Sequence, residues 1–271
     1  MKLSNKLILG LTVSSLAGKF LEKLLIQDNV SPNITASFNQ EADIPDIDAS
    51  SYIHHFASVI GSVVIGRNVF IGPFSSIRGD VGLKIFISHD CNIQDGVVLH
   101  GLKNYEYNSP VTEHSVFKDR ESYSIYIDEK VSLAPQCQIH GPVRIDKNVF
   151  VGMQSLVFDA YIQEDTVIEP GAKVIGVTIP PKRFVSAGRV ISNQEDANRL
   201  PEITDSYPYH DLNSKMTAVN LELAKGYKKE ERQWKLERNF GCLRANHHHP
   251  SAFINCHIVY GKTFNRGNAC V

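Results

Sequence analysis

Aliphatic side chains recur every six residues through the middle of this 271-residue chain, and this spacing limits its possible folds more than any other feature. The spacing holds in four runs at sixteen positions, which are Val59, Ile65, Ile71, Ile77, Ile87, Ile93, Leu99, Ile127, Leu133, Ile139, Ile145, Val151, Val157, Ile162, Ile168 and Val174. A helix would repeat about every 3.6 residues and a half-buried strand about every two. A period of six is typical of a parallel β-helix, in which three hexapeptides form one triangular coil.

A small or β-branched residue stands four positions after most of these aliphatic residues. This position is at the crowded corner of a coil, where a larger side chain would not fit. Cys91 and Cys137 occupy this position. We therefore expect both to be buried core thiols and not metal ligands, although Cys137 is close to His140 in the sequence.

Polar side chains stand directly after several aliphatic positions, where the register points them away from the core. Arg78, Gln94, His100 and His140 hold this position. Two histidines at one phase of the repeat suggest a common site. Flat faces of β-helices pack into oligomers, so we expect these residues to meet across a subunit interface.

The two ends of the chain differ from its centre. Residues 1–17 have a basic start, an apolar stretch and a small-x-small site at Ser15–Ala17, which predicts a signal peptide and a periplasmic or secreted protein. The alternative is the first half of an amphipathic helix in a cytoplasmic protein. Residues 18–44 form an N-terminal segment before the repeats.

The repeats and their flanks predict a β-helix domain over 45–192 that is interrupted by a long loop over 101–126. Helical periodicity follows over 193–236, and residues 237–271 are predicted to be a mobile tail. The histidines and cysteines of this tail are possible metal donors, although an unstructured tail is the favoured interpretation.

Composition argues against two classes of function. The net charge of −1 gives no reason to expect nucleic-acid binding. The sequence has no apolar run of about 18 residues, which argues against membrane-spanning helices.

Three stretches of the repeat region carry a more specific pattern. Ser76–Asp80, Asn92–His100 and Ser132–Pro142 resemble the γ-class carbonic anhydrases, and shorter matches extend the resemblance over about residues 45–228. The resemblance implies a left-handed β-helix that forms a homotrimer, with a C-terminal α-helix packed alongside. It also implies reversible hydration of CO2 to bicarbonate and a proton by a metal-bound hydroxide between subunits. The metal would be zinc, or alternatively iron or cobalt.

The resemblance also assigns roles to individual residues. His100 and His140 match two of the three metal-binding histidines. Gln94 and Asn92 match polar groups that orient the bound water, and Asn220 matches a helix residue that lines the CO2 or bicarbonate pocket. The remaining matches, Arg78 and Asp80, correspond to an ion pair between subunits.

Three positions depart from the family pattern. Pro135 stands where the third metal histidine is expected, and proline has no side-chain donor. Val81 and Lys103 replace two glutamates that serve proton exit in the family's best members. With two protein ligands a site holds zinc weakly, so low occupancy is expected unless another donor completes it.

Three functions are compatible with these residues. The chain could be a working carbonic anhydrase whose third ligand comes from elsewhere. It could be a catalytically inactive trimer that serves as a scaffold or binds an anion or metal. The third possibility is a hexapeptide acyltransferase, which the motifs match less well.

Overall fold

The computed structural model describes residues 29–245, so the expected signal peptide and the end of the expected tail lie outside the described residues. Its strands are β1 (Val30–Ser31), β2 (Asp46–Ile47), β3 (Tyr52–Ile53), β4 (Ser58–Gly61), β5 (Val63–Ile65), β6 (Phe70–Ile71), β7 (Ser76–Gly79), β8 (Ile85–Ile87), β9 (Asn92–Ile93), β10 (Val98–His100), β11 (Tyr105–Glu106), β12 (Ser109–Pro110), β13 (Val116–Lys118), β14 (Glu121–Tyr123), β15 (Ile125–Ile127), β16 (Ser132–Leu133), β17 (Gln138–Ile145), β18 (Phe150–Val151), β19 (Leu156–Ile162), β20 (Val167–Ile168), β21 (Lys173–Ile175), β22 (Thr178–Ile179), β23 (Phe184–Val185) and β24 (Val190–Ile191). The helices are a 3₁₀ turn at Thr112–His114, α1 (Gln194–Asn198) and α2 (Leu212–Ala245).

These strands wind into a left-handed parallel β-helix of about 8 turns, as predicted. The first face stacks β1, β4, β7, β10, the start of β17, the start of β19, β21 and β24. The second face stacks β2, β5, β8, β15, the ends of β17 and β19, and β22. The third face is the seven-stranded sheet of β3, β6, β9, β16, β18, β20 and β23. Strand β17 bends between His140 and Val143, so it belongs to the first face and then the second.

The core lies along the axis of the coil. All sixteen aliphatic repeat positions are at most 2% exposed, which confirms the register deduced from the sequence. Cys91 and Cys137 are likewise buried, at 1% and 0% exposure. Burial raises the pKa of the Cys91 thiol to about 12, so this side chain stays a neutral core group.

The segment predicted as a long loop over 101–126 has structure of its own. Strands β11 and β12 form one hairpin, and β13 and β14 form a second. Residues 125–126 already belong to β15, because Ile125 enters the buried core at 0% exposure. Asn104 anchors the segment from a fully buried position, where its Oδ1 accepts from the backbone N–H of Leu83 at 2.6 Å.

The predicted boundaries of the repeat region and of the helix also shift. Strand β1 pairs with β4, so the coil begins on the first face before residue 45. Helix α2 extends past residue 236 to Ala245, into the segment predicted as tail. The compact β-helix unit ends at Lys228, and the following unit begins at Lys229. In the described part of the chain, no helix combines the length and hydropathy needed to cross a bilayer.

Candidate functional site

Two histidines from neighbouring coils lie side by side on the first face. Strand β10 pairs with β17 so that His100 is directly opposite His140, and Arg78 of β7 is opposite His100 on the other side. The imidazole centroids are 5.4 Å apart and their planes cross at 78°. A shared repeat phase on successive coils of one face is what brings these distant sequence positions together.

Asp80 completes this group at the end of β7. Its Oδ2 accepts from Nη2 and Nε of Arg78 of the same chain at 2.9 and 3.0 Å, whereas the family resemblance implies that this ion pair forms between subunits. Its Oδ1 lies 3.4 Å from Nε2 of His100. Both of these last atoms are inaccessible to solvent and lack a well-aligned hydrogen bond. The two buried atoms thus face each other at a distance at which a hydrogen bond between them is weak.

The surroundings of His100 favour its neutral form. Burial lowers the pKa of His100, and the neighbouring Arg78 guanidinium lowers it further, while Asp80 opposes this effect. Metal binding requires a neutral imidazole with a free lone pair. His100 therefore has the protonation state of a ligand near neutral pH.

The second histidine is held by backbone and aromatic contacts. Nδ1 of His140 lies 3.2 Å from the carbonyl oxygen of Gly141, to which it can donate. Its ring also meets Phe158, with centroids 5.4 Å apart. A backbone acceptor at Nδ1 selects the tautomer whose Nε2 carries the lone pair, which is the usual arrangement of a ligating histidine.

The polar residues expected to assist the metal lie on a different face. Gln94 donates through Nε2 to Oδ1 of Asn92 at 2.8 Å, and Asn92 donates to Oγ of Ser132 at 2.7 Å. Oγ of Ser132 lies 3.5 Å from Oγ1 of Thr217, on the α2 surface that covers the third face. Asn220, one turn further along α2, donates to the carbonyl oxygen of Met216.

Within one chain the predicted site residues therefore form two groups. The first face brings together Arg78, Asp80, His100 and His140. The third face and α2 carry Asn92, Gln94 and Asn220. Gln94 shares the repeat phase of the histidines, but it lies one face away from them. Ser132 and Thr217, which the sequence pattern did not single out, link the strands of this second group to the helix.

The donor set fits part of a metal site. His100 and His140 offer two imidazoles on adjacent strands, and the buried unpartnered Nε2 of His100 is suited to a metal ion. Pro135 lies in the turn after β16 and offers no side-chain donor. Among the described side chains, which are those of residues 29–231, no three of His, Cys, Asp or Glu are already grouped as a metal cluster. Pro135 therefore cannot supply the third ligand that the family resemblance implies, and the described part of the chain contains no preassembled substitute.

Two glutamates of the 101–126 segment form ion pairs with lysines. Glu106 forms an ion pair with Lys103, and Glu121 with Lys84. The hydrogen bonds from Lys84 and Tyr123 lower the pKa of Glu121, which makes it a poor proton acceptor. These glutamates do not replace the two that the sequence lacks.

Comparison with known proteins agrees with this fold. Residues 46–79 match the family described as bacterial transferase hexapeptide (six repeats). The solved structure of an acetyltransferase candidate from Bacillus cereus superimposes with a TM-score of 0.55 at 23% identity, covering 69% of this chain and 93% of that one. At this identity, the likeness shows the fold alone.

Sequence relatives are more informative. The chain is 35% identical to the carboxysome assembly protein CcmM of Nostoc over 67% of its own length, but that match spans only 31% of CcmM. It is 30% identical to the carnitine operon protein CaiE of Escherichia coli, over 64% of this chain and 80% of CaiE.

The carbonic anhydrase of Methanosarcina thermophila shares 44% identity with the chain over 201 residues, which cover 74% of this chain and 81% of that enzyme. The repeat motifs around His100 and His140 lie within the β-helix that this likeness describes. The chain therefore belongs to the γ-class carbonic anhydrase family.

Proposed function

We propose that the chain is a metal-dependent carbonic anhydrase that converts CO2 to bicarbonate at the interfaces of a homotrimer. The pairing of His100 with His140 across β10 and β17 carries this proposal. Their imidazoles are placed by the repeat itself and do not depend on a mobile loop. The metal would be zinc, or alternatively iron or cobalt, since imidazole ligands suit all of these ions.

The distribution of polar residues supports the trimer. Asn92 and Gln94 occupy another face of the coil than the histidines, so one chain cannot bring both groups to one metal. In such a trimer, the edge of a neighbouring chain's third face, beside its own α2, would lie against the first face of this chain. A trimer built in this way joins the two groups without any change within the coil.

Each side chain has a distinct task in this site. A metal ion held by imidazoles supplies Lewis acidity, which makes hydroxide available from water near neutral pH. His100 and His140 bind the ion. Asn92 takes one N–H of the Gln94 amide, which fixes the orientation of this amide and leaves its Oε1 able to accept from a reacting water. Asn220 borders the space that CO2 or bicarbonate would occupy.

Proton removal is the weak step of this site. Val81 and Lys103 cannot accept a proton at the positions of the missing glutamates, and Glu106 and Glu121 are tied to lysines. The proton must therefore pass directly to dissolved buffer. We expect turnover to rise with buffer concentration over a wider range than in members with both glutamates.

A catalytically inactive trimer is the second candidate function. Pro135 favours it, since a trimer that keeps its fold but loses one metal ligand would bind zinc weakly. Such a protein would serve as a scaffold or as a binder of an anion or metal.

Metal retention by histidine variants tests the proposed site. His100→Ala and His140→Ala should each abolish metal binding, because a site with so few protein ligands cannot lose another. Metal content is measured by elemental analysis after dialysis, with circular dichroism to confirm the fold. Full metal retention in both variants would remove the basis for this proposal.

A further inference from the structure

Asp80 presents a carboxylate oxygen to Nε2 of His100, the nitrogen that would bind the metal in the proposed function. Oδ1 of Asp80 and Nε2 of His100 are 3.4 Å apart, and both are buried without an aligned hydrogen-bond partner. Buried polar atoms are rarely left unsatisfied, and those that are call for an explanation such as an ion. Two such atoms facing each other are explained together if both bind one cation.

The separation of these atoms is the one that a shared metal requires. Two ligands at about 2.1 Å from a tetrahedral zinc ion lie about 3.4 Å from each other. The Arg78 guanidinium binds the other oxygen, Oδ2, and so holds the carboxylate with Oδ1 toward His100. Arg78 therefore orients the Asp80 carboxylate, and its Oδ1 remains available on the side of His100.

We propose that Asp80 replaces the missing histidine as the third metal ligand, forming a site of two imidazoles and one carboxylate. This inference rests on the proposed function of His100 and His140. Sets of two histidines and one carboxylate hold zinc in hydrolases and iron in oxygenases. The site would then be completed by the chain that supplies both histidines, and Pro135 of the adjoining subunit would have no part in it.

One side chain must turn before the three donors converge, because the described residues do not contain a preassembled cluster. Asp80 and His100 already have the spacing of ligands, so the adjustment belongs to His140. Its Nδ1 makes one long contact of 3.2 Å, to the carbonyl oxygen of Gly141. A rotation of this half-buried ring would give up that contact and change its edge contacts with Phe158 and His100.

An ion pair on the second face of the β-helix, at the end of β17, offers a matched control. Arg144 and Asp146 repeat the Arg-x-Asp spacing, with Nε to Oδ1 at 2.9 Å, but the residues opposite Arg144 are Tyr126 and Tyr161. Asp146→Ala removes an equivalent ion pair without touching the histidines. Asp80→Ala removes the proposed ligand.

Cobalt titration of the full-length protein, freed of metal and followed by visible absorption, separates a ligand from a neighbour that only positions His100. Cobalt absorbs strongly with four ligands and weakly when water raises the coordination to six. We expect Asp80→Ala to lose the strong band and to bind cobalt at least about 100-fold more weakly, which exceeds the usual effect of a supporting residue. Asp146→Ala should match the parent protein.

Two results would contradict this proposal in different ways. If Asp80→Ala keeps the strong cobalt band while His100→Ala loses it, the carboxylate is not a ligand, but the proposed function stands. If His100→Ala also keeps the band, the proposed function fails with it. A second variant tests whether Asp80→Ala loses the band only because it folds poorly. Pro135→His combined with Asp80→Ala should regain the strong band, because the new histidine would supply the third ligand. If Pro135→His alone binds cobalt but the double variant does not, the ligand exchange is wrong.

Discussion

At the scale of single residues, Pro135 determines how the site can hold a metal. The family pattern places a histidine here, and a proline cannot substitute for its donor atom. His100 and His140 then remain as imidazole donors, with the Asp80 carboxylate beside His100. A site of this composition is expected to bind zinc less tightly than three histidines would.

Pro135→His should raise metal affinity, because it rebuilds the three-histidine set of the family. Competition with a chelator of known affinity measures the change, and we expect a gain of about tenfold or more. Pro135→Ala is the control, since it removes the proline without adding a donor. No gain in the histidine variant would show that position 135 does not face the metal.

Burial at the repeat positions makes a separate prediction about stability. Ile191→Ala should lower the free energy of unfolding by about 2–5 kcal/mol, because this side chain is fully buried in β24. Its neighbour Val190 is 54% exposed, so Val190→Ala should cost less than about 1 kcal/mol. Denaturant unfolding followed by circular dichroism gives both values. Equal losses would contradict the register.

The repeat phase predicted these inward and outward positions because each hexapeptide obeys the same local rule. It could not assign residues to faces, since the same phase recurs on all three faces of a coil. Gln94 and His100 therefore looked equivalent in the sequence, although they lie on different faces. The contact between Asp80 and His100 was missed for a similar reason, since it joins successive coils.

At the scale of elements, helix α2 is fastened to the coil by polar and aromatic contacts in its first half. Asn213 donates to the carbonyl oxygen of Lys130 and to Oδ1 of Asn148, both at 2.8 Å. Further along, Tyr227 stacks on Tyr52, with centroids 5.1 Å apart. These contacts belong to the unit that ends at Lys228.

Truncation after Lys228 should therefore leave the fold and the oligomer intact. The contacts described above all come from α2 residues up to Tyr227, which the shortened protein keeps. Sedimentation and thermal unfolding of the shortened protein should match those of the parent within about 2 °C. Unfolding or dissociation of the truncated protein would show that the distal segment supports the assembly.

The 101–126 segment was the element least predictable from the sequence. It departs from the six-residue period, and its two hairpins lack long alternating strands. Its anchor, Asn104, is a buried polar residue whose partners lie in the backbone of an earlier coil, around Val81 and Leu83. Such a contact between distant segments leaves no local signature.

At the scale of the whole molecule, the proposed trimer would account for the two groups of site residues on different faces. The first face supplies the histidines and the third face supplies the Asn92–Gln94 pair. Each interface between chains would unite one group of each kind. The assembly would thus create three equivalent sites from a chain that has only parts of a site.

The most direct test is stopped-flow CO2 hydration by the purified oligomer, loaded with zinc or anaerobically with iron, in concentrated buffer. High buffer removes proton exit as the limiting step, so the rate reports the metal site itself. We predict a rate clearly above that of His100→Ala under the same conditions. A rate equal to that of His100→Ala, with metal bound to the parent protein, would contradict carbonic anhydrase activity and favour the inactive trimer.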